Sequence, residues 1–434
     1  MTTARIGNRA ILRLAVPALG TLAIDPLLTL VDTAFVARVG VDELAALGVD
    51  TALLGFVFFG FNFLAYATTP LVAQALGRGN RVEARRWVGD ALVLAVVLGV
   101  LATVIVELLA PWLVDLMGAD QGVAGPAVSY LRIRALATPA VLVVTTGHGA
   151  FRGHLDTRTP LLVAVGVNLL NLGLDPLLIF GAGWGIEGAA IATVVAQYAG
   201  AWWFLLLIRS RRMADRPAGL REAIPTILAL GRNGILVSIR TGFLLLGLTF
   251  AAATATRLGA GEIAAHQVVM QVWLLAAMVA DSFAIAAQAL IGEAVGGRDR
   301  AGAERLTLSL LVWGVITGLA LTGAFVLGGP LLDHLVDDPR VGGLTVSASA
   351  VAGWMMPIAA PLFVADGIFF GLLAFGTIIA STALGAVTVV LLVSLTQLGQ
   401  SLDGIWWAIG GMLLARGVVY VFTYRRALRM ALRS

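Results

Sequence analysis

The sequence predicts an all-α integral membrane protein whose twelve transmembrane helices form two parallel six-helix repeats. Three observations support this prediction. Of the 434 residues, 59% are hydrophobic and only 12% are charged, whereas soluble domains carry about 25% charged residues. The chain also contains twelve apolar runs long enough to cross a bilayer, and its two halves share residues at a constant spacing. A water-soluble enzyme is therefore excluded.

The twelve apolar runs are separated by short polar connections. Each approaches or exceeds the roughly 20 residues that a spanning helix needs, so little of the chain remains for a soluble domain. The first run follows three arginines and lacks a small-residue cleavage site, so we interpret it as a membrane helix and not as a signal peptide. The runs lie at residues 10–36, 45–75, 87–113, 124–150, 158–183, 186–208, 227–256, 264–292, 304–330, 344–370, 374–400 and 403–424.

Alternate connections differ in their arginine content. One set carries most of the arginines outside the apolar runs, whereas the other set carries many acids but only Arg38, Arg257 and Arg340. Because cytoplasmic loops are enriched in basic residues, both termini are predicted to face the cytoplasm in a multi-pass protein of the cytoplasmic (inner) membrane. The arginine-rich connections hold Arg78, Arg81, Arg85, Arg86, Arg152, Arg158, Arg209, Arg211, Arg212, Arg216, Arg221, Arg298, Arg300 and Arg305.

An internal repeat divides the chain into halves. Residues recur at an offset of 219, so that Gly40 and Glu43 match Gly259 and Glu262. The predicted domains are an N-lobe (1–212), a cytoplasmic linker (213–224) and a C-lobe (225–434). Since each copy has an even number of helices, the copies are parallel. Such repeats are typical of secondary transporters that bind substrate at the repeat interface.

Polar side chains inside the predicted spans of the first half mark a candidate cation site. An Asp at the centre of a span costs roughly 2.5–3.5 kcal/mol to insert, so intramembrane acids are candidates for function. Asp25 and Asp32 lie seven residues apart, on one helix face. Carboxylate, amide, hydroxyl and phenol oxygens suit Na⁺ or a transferred proton. The alternative is that these Asn and Asp side chains only hold helices together by interhelical hydrogen bonds. The other candidates are Asn168, Asn171, Asp175, Thr193 and Tyr130.

The second half carries fewer such groups. Asp281 and Gln288 lie seven residues apart in one span, and Asp366 lies in another. These side chains are expected to bind a cationic substrate or a second ion, or to satisfy backbone groups near Gly367. At the offset of 219, Asp25 and Asp32 correspond to apolar residues, so ion coupling is predicted for the first half only.

Three prolines provide candidate hinges beside these acids. Pro26 follows Asp25, Pro176 follows Asp175, and Pro17 lies nine residues before Pro26. Proline removes a backbone hydrogen bond and kinks a helix. Ion binding could therefore bias a bend, although the same prolines could serve only to shape helix packing.

Residues 151–160, Phe-Arg-Gly-His-Leu-Asp-Thr-Arg-Thr-Pro, resemble a signature of the multidrug and toxic compound extrusion (MATE) family. Helix 1, with Asp25-Pro26 and Val31 to Phe35, resembles the DinF-like branch of that family. The resemblance implies a V-shaped bundle of two lobes and export of organic compounds by antiport with H⁺ or Na⁺. It also implies a cation site at Asp32, Asn171, Asp175 and Thr193, with Tyr130 beside it, and bending of helix 1 when Asp32 binds an ion.

The signature itself is interpreted as a structural or gating element. Arg152, Asp156 and Arg158 are expected to form a salt-bridged cytoplasmic turn, far from the substrate. The remaining signature positions of interest are Gly153, Thr157 and Pro160. Its second-half copy, Phe370 to Phe375, lacks charge, and the helix-7 acid of the NorM-like branch is absent, with Arg240 and Thr241 nearby.

Two other functions stay open on the same scaffold. A flippase for lipid-linked precursors would use an arginine-lined cavity, for which Arg132, Arg134 and Arg240 are candidates, and an exporter of organic carboxylates is a further alternative. A membrane-embedded enzyme is not expected, because the chain has no Cys and no His-Glu-x-x-His helix. The predicted partners are small organic substrates and the bilayer, without nucleic acid. No cofactor and no metal other than Na⁺ are expected, and the protein is predicted to be a monomer.

Overall fold

The computed structural model describes residues 7–215, 220–333 and 337–433, and these residues confirm the predicted all-α class. Within them the chain forms fourteen α-helices and no strand. The helices are α1 (Asn8–Val36), α2 (Val41–Phe61), α3 (Phe63–Gly77), α4 (Arg81–Leu116), α5 (Gln121–Ala135), α6 (Thr138–Gly153), α7 (Arg158–Pro176), α8 (Gly185–Ser210), α9 (Leu220–Leu258), α10 (Ala260–Gly296), α11 (Arg300–Asp333), α12 (Pro339–Gly371), α13 (Phe375–Leu395) and α14 (Leu402–Ala431).

The number of spanning helices is close to the predicted twelve. In the part of the chain that the structure describes, ten helices are long and apolar enough to cross a membrane. The pair α5 and α6, bent by 49° at a short break, would make an eleventh span and corresponds to the predicted run 124–150. The predicted run 45–75 is also divided, at Asn62, into α2 and α3. Two of the predicted spans are therefore each divided into two helices.

The helices group into two compact units. The first unit comprises Gly20–Gly234, and the second combines the residues up to Leu19 with Ile235–Ser434. In the first unit α3 packs on α6 and α4, α2 on α5, and α7 on α8. In the second, α12 packs on α10, α11 and α14, and α13 packs on α14. The predicted lobe boundaries remain a prediction, and residues 216–219 of the predicted linker lie outside the described residues.

The repeat is visible in the backbone of one turn in each half. The N–H of Gly79 donates to the carbonyl of Leu76 at 2.9 Å, and at the offset of 219 the N–H of Arg298 donates to Val295 at 2.9 Å. Both turning residues have positive φ, +74° at Gly79 and +54° at Arg298. A non-glycine residue rarely adopts this conformation. Equivalent turns therefore persist although the residue at the turn has changed.

A buried apolar cluster holds α2, α4 and α5 together in the first unit. Leu47 and Leu54 of α2 pack with Ala110 of α4 and with Tyr130 and Leu131 of α5. Residues three and four apart share a helix face. This packing therefore turns the face of α2 between Leu47 and Leu54 toward the core of the unit.

Candidate functional site

A cavity of about 340 Å³ lies within the first unit. Its walls come from α1, α5, α6, α7 and α8 and from Asn62, between α2 and α3, and most of the lining side chains are polar. The polar lining residues are Asp25, Thr29, Asp32, Asn62, Arg134, Thr145, Asn168, Asn171, Thr193 and Gln197. The structure thus brings the predicted acids and amides of the first half to one place.

Two carboxyl groups meet beside this cavity. Asp32 of α1 and Asp175 of α7 lie within hydrogen-bond reach of each other. Asp175 is fully buried, and the side-chain amide of Asn171, one helical turn earlier, donates to its Oδ1 at 3.1 Å. Two carboxyl groups this close cannot both carry an uncompensated charge. The pair is therefore suited to hold a proton or a small cation.

Several oxygens around this pair have no hydrogen-bond partner among the described residues. They are Oδ1 of Asp32, Oδ2 of Asp175 and Oδ1 of Asn171, all of them buried. Buried polar atoms are almost always satisfied, so unsatisfied ones need an explanation such as an ion. Carboxylate and amide oxygens are the ligands that hard cations prefer. The donor set therefore fits Na⁺ or a proton.

The remaining residues predicted for this site lie around the carboxyl pair. Asn168 donates to Oδ1 of Asp25 at 3.3 Å and to the carbonyl of Ala164 at 2.7 Å. Thr193 donates to the carbonyl of Ala189 at 3.0 Å, which leaves its oxygen available as an acceptor on the cavity wall. Tyr130 is buried and interacts electrostatically with Asp32 and Asp175 without lining the cavity.

The prolines beside the acids differ in their effect on the helix. Pro17 and Pro26 both lie within the continuous helix α1. Pro176 instead ends α7, and a π-helical turn, Leu177–Gly181, follows it. Such turns are frequent at functional sites. The backbone therefore changes its winding directly after Asp175, and a hinge at Pro17 or Pro26 remains a prediction.

The acids of the second unit have a different environment. Asp366 of α12 is an ion-pair partner of Arg240, at 2.6 Å, and of Arg416, at 2.7 Å. It also accepts a hydrogen bond from the hydroxyl of Tyr420. Asp281 interacts electrostatically with both arginines and with Asp366. Asp366 is thus neutralised internally, while Gln288 lies buried on α10.

Several members of these clusters were not predicted from the sequence. Asp50 of α2 has an exposed fraction of 0%, and neither of its carboxylate oxygens has a hydrogen-bond partner among the described residues. Asp50 lies inside the predicted run 45–75, so the criterion of an acid within a predicted span would have identified it. Arg416 and Tyr420 lie four residues apart on α14 and so share a face. Their position inside the last predicted run was the equivalent signal in the second half.

The signature loop is held by a different ion pair from the expected one. Asp156 accepts from the backbone N–H groups of Arg158, at 3.1 Å, and Thr159, at 3.0 Å, so it caps the start of α7. Its ion pair is with Arg211 at 2.8 Å, at the end of α8. The expected salt bridge to Arg152 or Arg158 is therefore wrong. The end of α8 supplies the guanidinium that pairs with Asp156.

Two signature residues, Asp156 and Gly153, shape the structure around the clamp, the ion pair between Asp156 and Arg211. Burial raises the pKa of Asp156, but the hydrogen bonds from Thr159 and Arg211 outweigh it and lower the pKa below its usual value. A Cβ on Gly153 would lie 2.7 Å from Cβ of Val72 on α3. The glycine therefore permits close packing of α6 on α3.

The uncharged copy of the loop has the same turn. The N–H of Asp156 donates to the carbonyl of Phe151 at 2.9 Å, and in the second half the N–H of Ala374 donates to Phe369 at 3.0 Å. The residues just before each donor, Leu155 and Leu373, both have φ near +56°, at +57° and +55°. The turn therefore forms without the charges, which add a clamp to it in the first half.

Comparisons with known proteins agree with this architecture. The MatE family model matches residues 17–177 and 241–396. Protein DETOXIFICATION 44 (chloroplastic) of Arabidopsis thaliana is 34% identical over 84% of this chain and 72% of its own length. DNA damage-inducible protein F of Escherichia coli K12 is 29% identical over 96% and 92%. A crystal structure of MATE in the bent conformation matches with a TM-score of 0.88 at 22% identity, covering 98% and 97%.

Proposed function

Because this chain belongs to the MatE family, we propose that it is a secondary active transporter that exports organic compounds by antiport with H⁺ or Na⁺. The coupling ion binds between Asp32 and Asp175. The observation that carries the proposal is the set of buried, unpartnered oxygens that Asp32, Asn171 and Asp175 present in the first unit.

Ion binding and release at this pair have a simple electrostatic basis. When the ion leaves, the two carboxyl groups repel each other or must share a proton. When an ion binds, it draws the oxygens of α1 and α7 together. Asp175 lies just before the π-helical turn at Leu177–Gly181. Helices kink readily at such turns, so a movement of the Asp175 side chain can change the bend of the helix. This link between ion occupancy and helix shape supports alternating access.

The charges of the first-unit cavity favour an organic cation as substrate. Asp25 and Asp32 line it, and Arg134 is the one basic residue among the lining residues. Of the other arginines considered for a flippase, Arg132 is paired with Glu107 at 3.7 Å and Arg240 with Asp366 at 2.6 Å. Arg134 is the feature that keeps export of an organic carboxylate as the second candidate.

The proposal includes the orientation that the arginine distribution predicts. The protein is a multi-pass protein of the cytoplasmic membrane with both termini in the cytoplasm, and it acts as a monomer. In this orientation the clamp formed by Asp156 and Arg211 lies on the cytoplasmic side.

Reconstitution in liposomes tests the proposal. A pH gradient and a Na⁺ gradient are imposed separately, and efflux of ethidium is followed by fluorescence. The parent is expected to respond to at least one gradient, whereas Asp32→Asn and Asp175→Asn are expected to lose the response. The measurement is then repeated with a radiolabelled tricarboxylate to separate cation export from carboxylate export.

The matched control is Asp115→Asn, which removes an exposed acid from the last turn of α4. This variant is expected to transport like the parent. If Asp32→Asn or Asp175→Asn also transports like the parent under both gradients, the assignment of the coupling site is wrong.

A further inference from the structure

Arg134 lies at the bend of a broken spanning helix. It is in the last turn of α5, directly before the 49° bend to α6, and it lines the first-unit cavity. Its Nε and Nη1 are buried and have no hydrogen-bond partner among the described residues. An arginine inside a membrane is costly unless it pairs with an acid or a carbonyl. Its guanidinium is therefore available to the acids around it.

Asp50 is the second buried group without a partner. It lies on α2, between Leu47 and Leu54 of the apolar cluster, and has an exposed fraction of 0%. Arg134 and Tyr130 of α5, the helix that packs on α2, interact with Asp50 electrostatically. From α4, which also contacts α2, Glu107 is occupied by Arg132. An ionised carboxylate in such a position needs a cationic partner. Arg134 is the cation that interacts with Asp50 electrostatically.

Arg134 also acts on the carboxyl pair of the proposed ion site. Its charge interacts with Asp32 and with Asp175 as well as with Asp50. Three carboxyl groups thus share one guanidinium. It can pair with Asp50 or with Asp32 and Asp175, but not with both at once. Its preference depends on whether another cation occupies the carboxyl pair, because like charges repel.

We propose that Arg134 is an internal cation that competes with the coupling ion for Asp32 and Asp175, and that Asp50 holds Arg134 while the ion is bound. This inference rests on the proposed function of the site. In the ion-bound state, the guanidinium pairs with Asp50. In the ion-free state it pairs with Asp32 and Asp175 in place of the ion, and Asp50 takes up a proton from hydronium in the solvent, since an isolated carboxylate is unstable in an apolar core. This exchange applies to Na⁺ as the coupling ion, because uptake of a proton by Asp50 would cancel the release of a proton from the pair; a parent driven only by the pH gradient would therefore overturn it.

The competition has two opposite consequences that can be measured. Arg134→Gln removes the competitor, so the concentration of coupling ion at half-maximal ethidium efflux falls about tenfold. Asp50→Asn mimics the protonated carboxyl group and frees Arg134 to compete, so this concentration rises about tenfold. Each tenfold change corresponds to about 1.4 kcal/mol. In the double variant the concentration stays at the low value of Arg134→Gln, because Asp50 then has nothing to hold.

Two further variants control for charge and for general disturbance. Arg134→Lys keeps the charge and is expected to lie within about threefold of the parent. Arg132→Gln removes a neighbouring arginine that is 47% exposed and is expected to match the parent. Gel filtration before reconstitution confirms that each variant is monodisperse, and Arg134→Met replaces Arg134→Gln if the latter aggregates.

The outcomes separate this inference from the proposed function. If the parent is not driven by either gradient, or if Asp32→Asn transports like the parent, the proposed function fails. If coupling depends on Asp32 but Arg134→Gln titrates like the parent, or if Asp50→Asn shifts the titration in the same direction as Arg134→Gln, the internal-cation role is overturned and the ion site stands.

Discussion

Both carboxylate oxygens of Asp366 lie 2.7 Å from Nη2 of Arg416, a pair that joins α12 to α14 inside the second unit. The exposed fractions of the two residues are 4% and 1%. Arg240 of α9 adds a second guanidinium at 2.6 Å. In the second unit two arginines pair directly with the buried acid, whereas in the first unit Oδ1 of Asp32 and Oδ2 of Asp175 have no hydrogen-bond partner among the described residues. This contrast supports the prediction that coupling resides in the first half.

Removing one partner of this buried pair should strongly destabilise the protein. Arg416→Gln leaves the carboxylate of Asp366 partly uncompensated, and breaking a buried pair costs about 3–5 kcal/mol. The melting temperature in detergent, followed by tryptophan fluorescence, is expected to fall clearly. Arg340→Gln is the control, because its ion pair with Glu262 involves an arginine that is 73% exposed and is worth less than about 1 kcal/mol. Equal melting temperatures for the two variants would contradict this assignment.

The amide of Asn171 should tune the ion site. It donates to Asp175 at 3.1 Å, and a hydrogen bond to a charged group contributes about 1.5–3 kcal/mol. Asn171→Ala removes this donor together with an oxygen ligand, so the coupling-ion concentration at half-maximal efflux should rise by at least about tenfold. Asn168→Ala, which loses a contact to Asp25 instead, should change it less. A larger effect at Asn168 would place the ion nearer Asp25.

A methyl group at Gly153 should separate α6 from α3. Its carbon would lie 2.7 Å from Cβ of Val72 and 2.9 Å from the carbonyl oxygen of Thr69. Overpacking of this kind costs about 1–3 kcal/mol, so Gly153→Ala should lower the melting temperature. Gly323→Ala, on α11 with no atom within 4 Å of the added carbon, should be neutral or stabilising by about 1 kcal/mol. Unchanged stability of Gly153→Ala would show that the loop adjusts.

The clamp between Asp156 and Arg211 should respond to pH in one direction. Because the folded protein lowers the pKa of Asp156, its carboxylate stabilises the fold fully above the ordinary value of about 3.9, and this contribution is lost as the pH falls through the lower folded value. Asp156→Asn keeps an acceptor for the α7 cap but loses the ion pair. It should be less stable than the parent by less than about 1 kcal/mol at neutral pH.

Melting curves at several pH values check this behaviour. The difference between Asp156→Asn and the parent should stay constant from about pH 7 to pH 5 and vanish only below about pH 4. Arg211→Gln should show the same loss at neutral pH, and the double variant should lose no more than either single variant. A difference that disappears already near neutral pH would contradict the lowered pKa of Asp156.

Local sequence was enough to predict which acids and amides the structure brings together in the first unit. Asn171 and Asp175 lie one helical turn apart and Asp32 follows Asp25 by two turns, so helix geometry alone aligns them on faces. Asp50 lay in a predicted span and met the same criterion, yet its environment was not visible. Nothing in the sequence indicates that Asp50 is fully buried or that its charge interacts with that of Arg134.

The sequence by itself determined the helical class, the repeat and the scarcity of intramembrane acids. In a bilayer each helix must satisfy its own backbone hydrogen bonds, so the length and apolarity of a run are enough to predict a spanning helix. The repeat follows separately from residues that recur at an offset of 219. Only the tertiary structure decided which charges meet. Arg416 is 50 residues from Asp366, and Arg211 is 55 residues from Asp156. Such pairs depend on how helices pack, and packing is set by side chains from several helices at once, which no local pattern encodes.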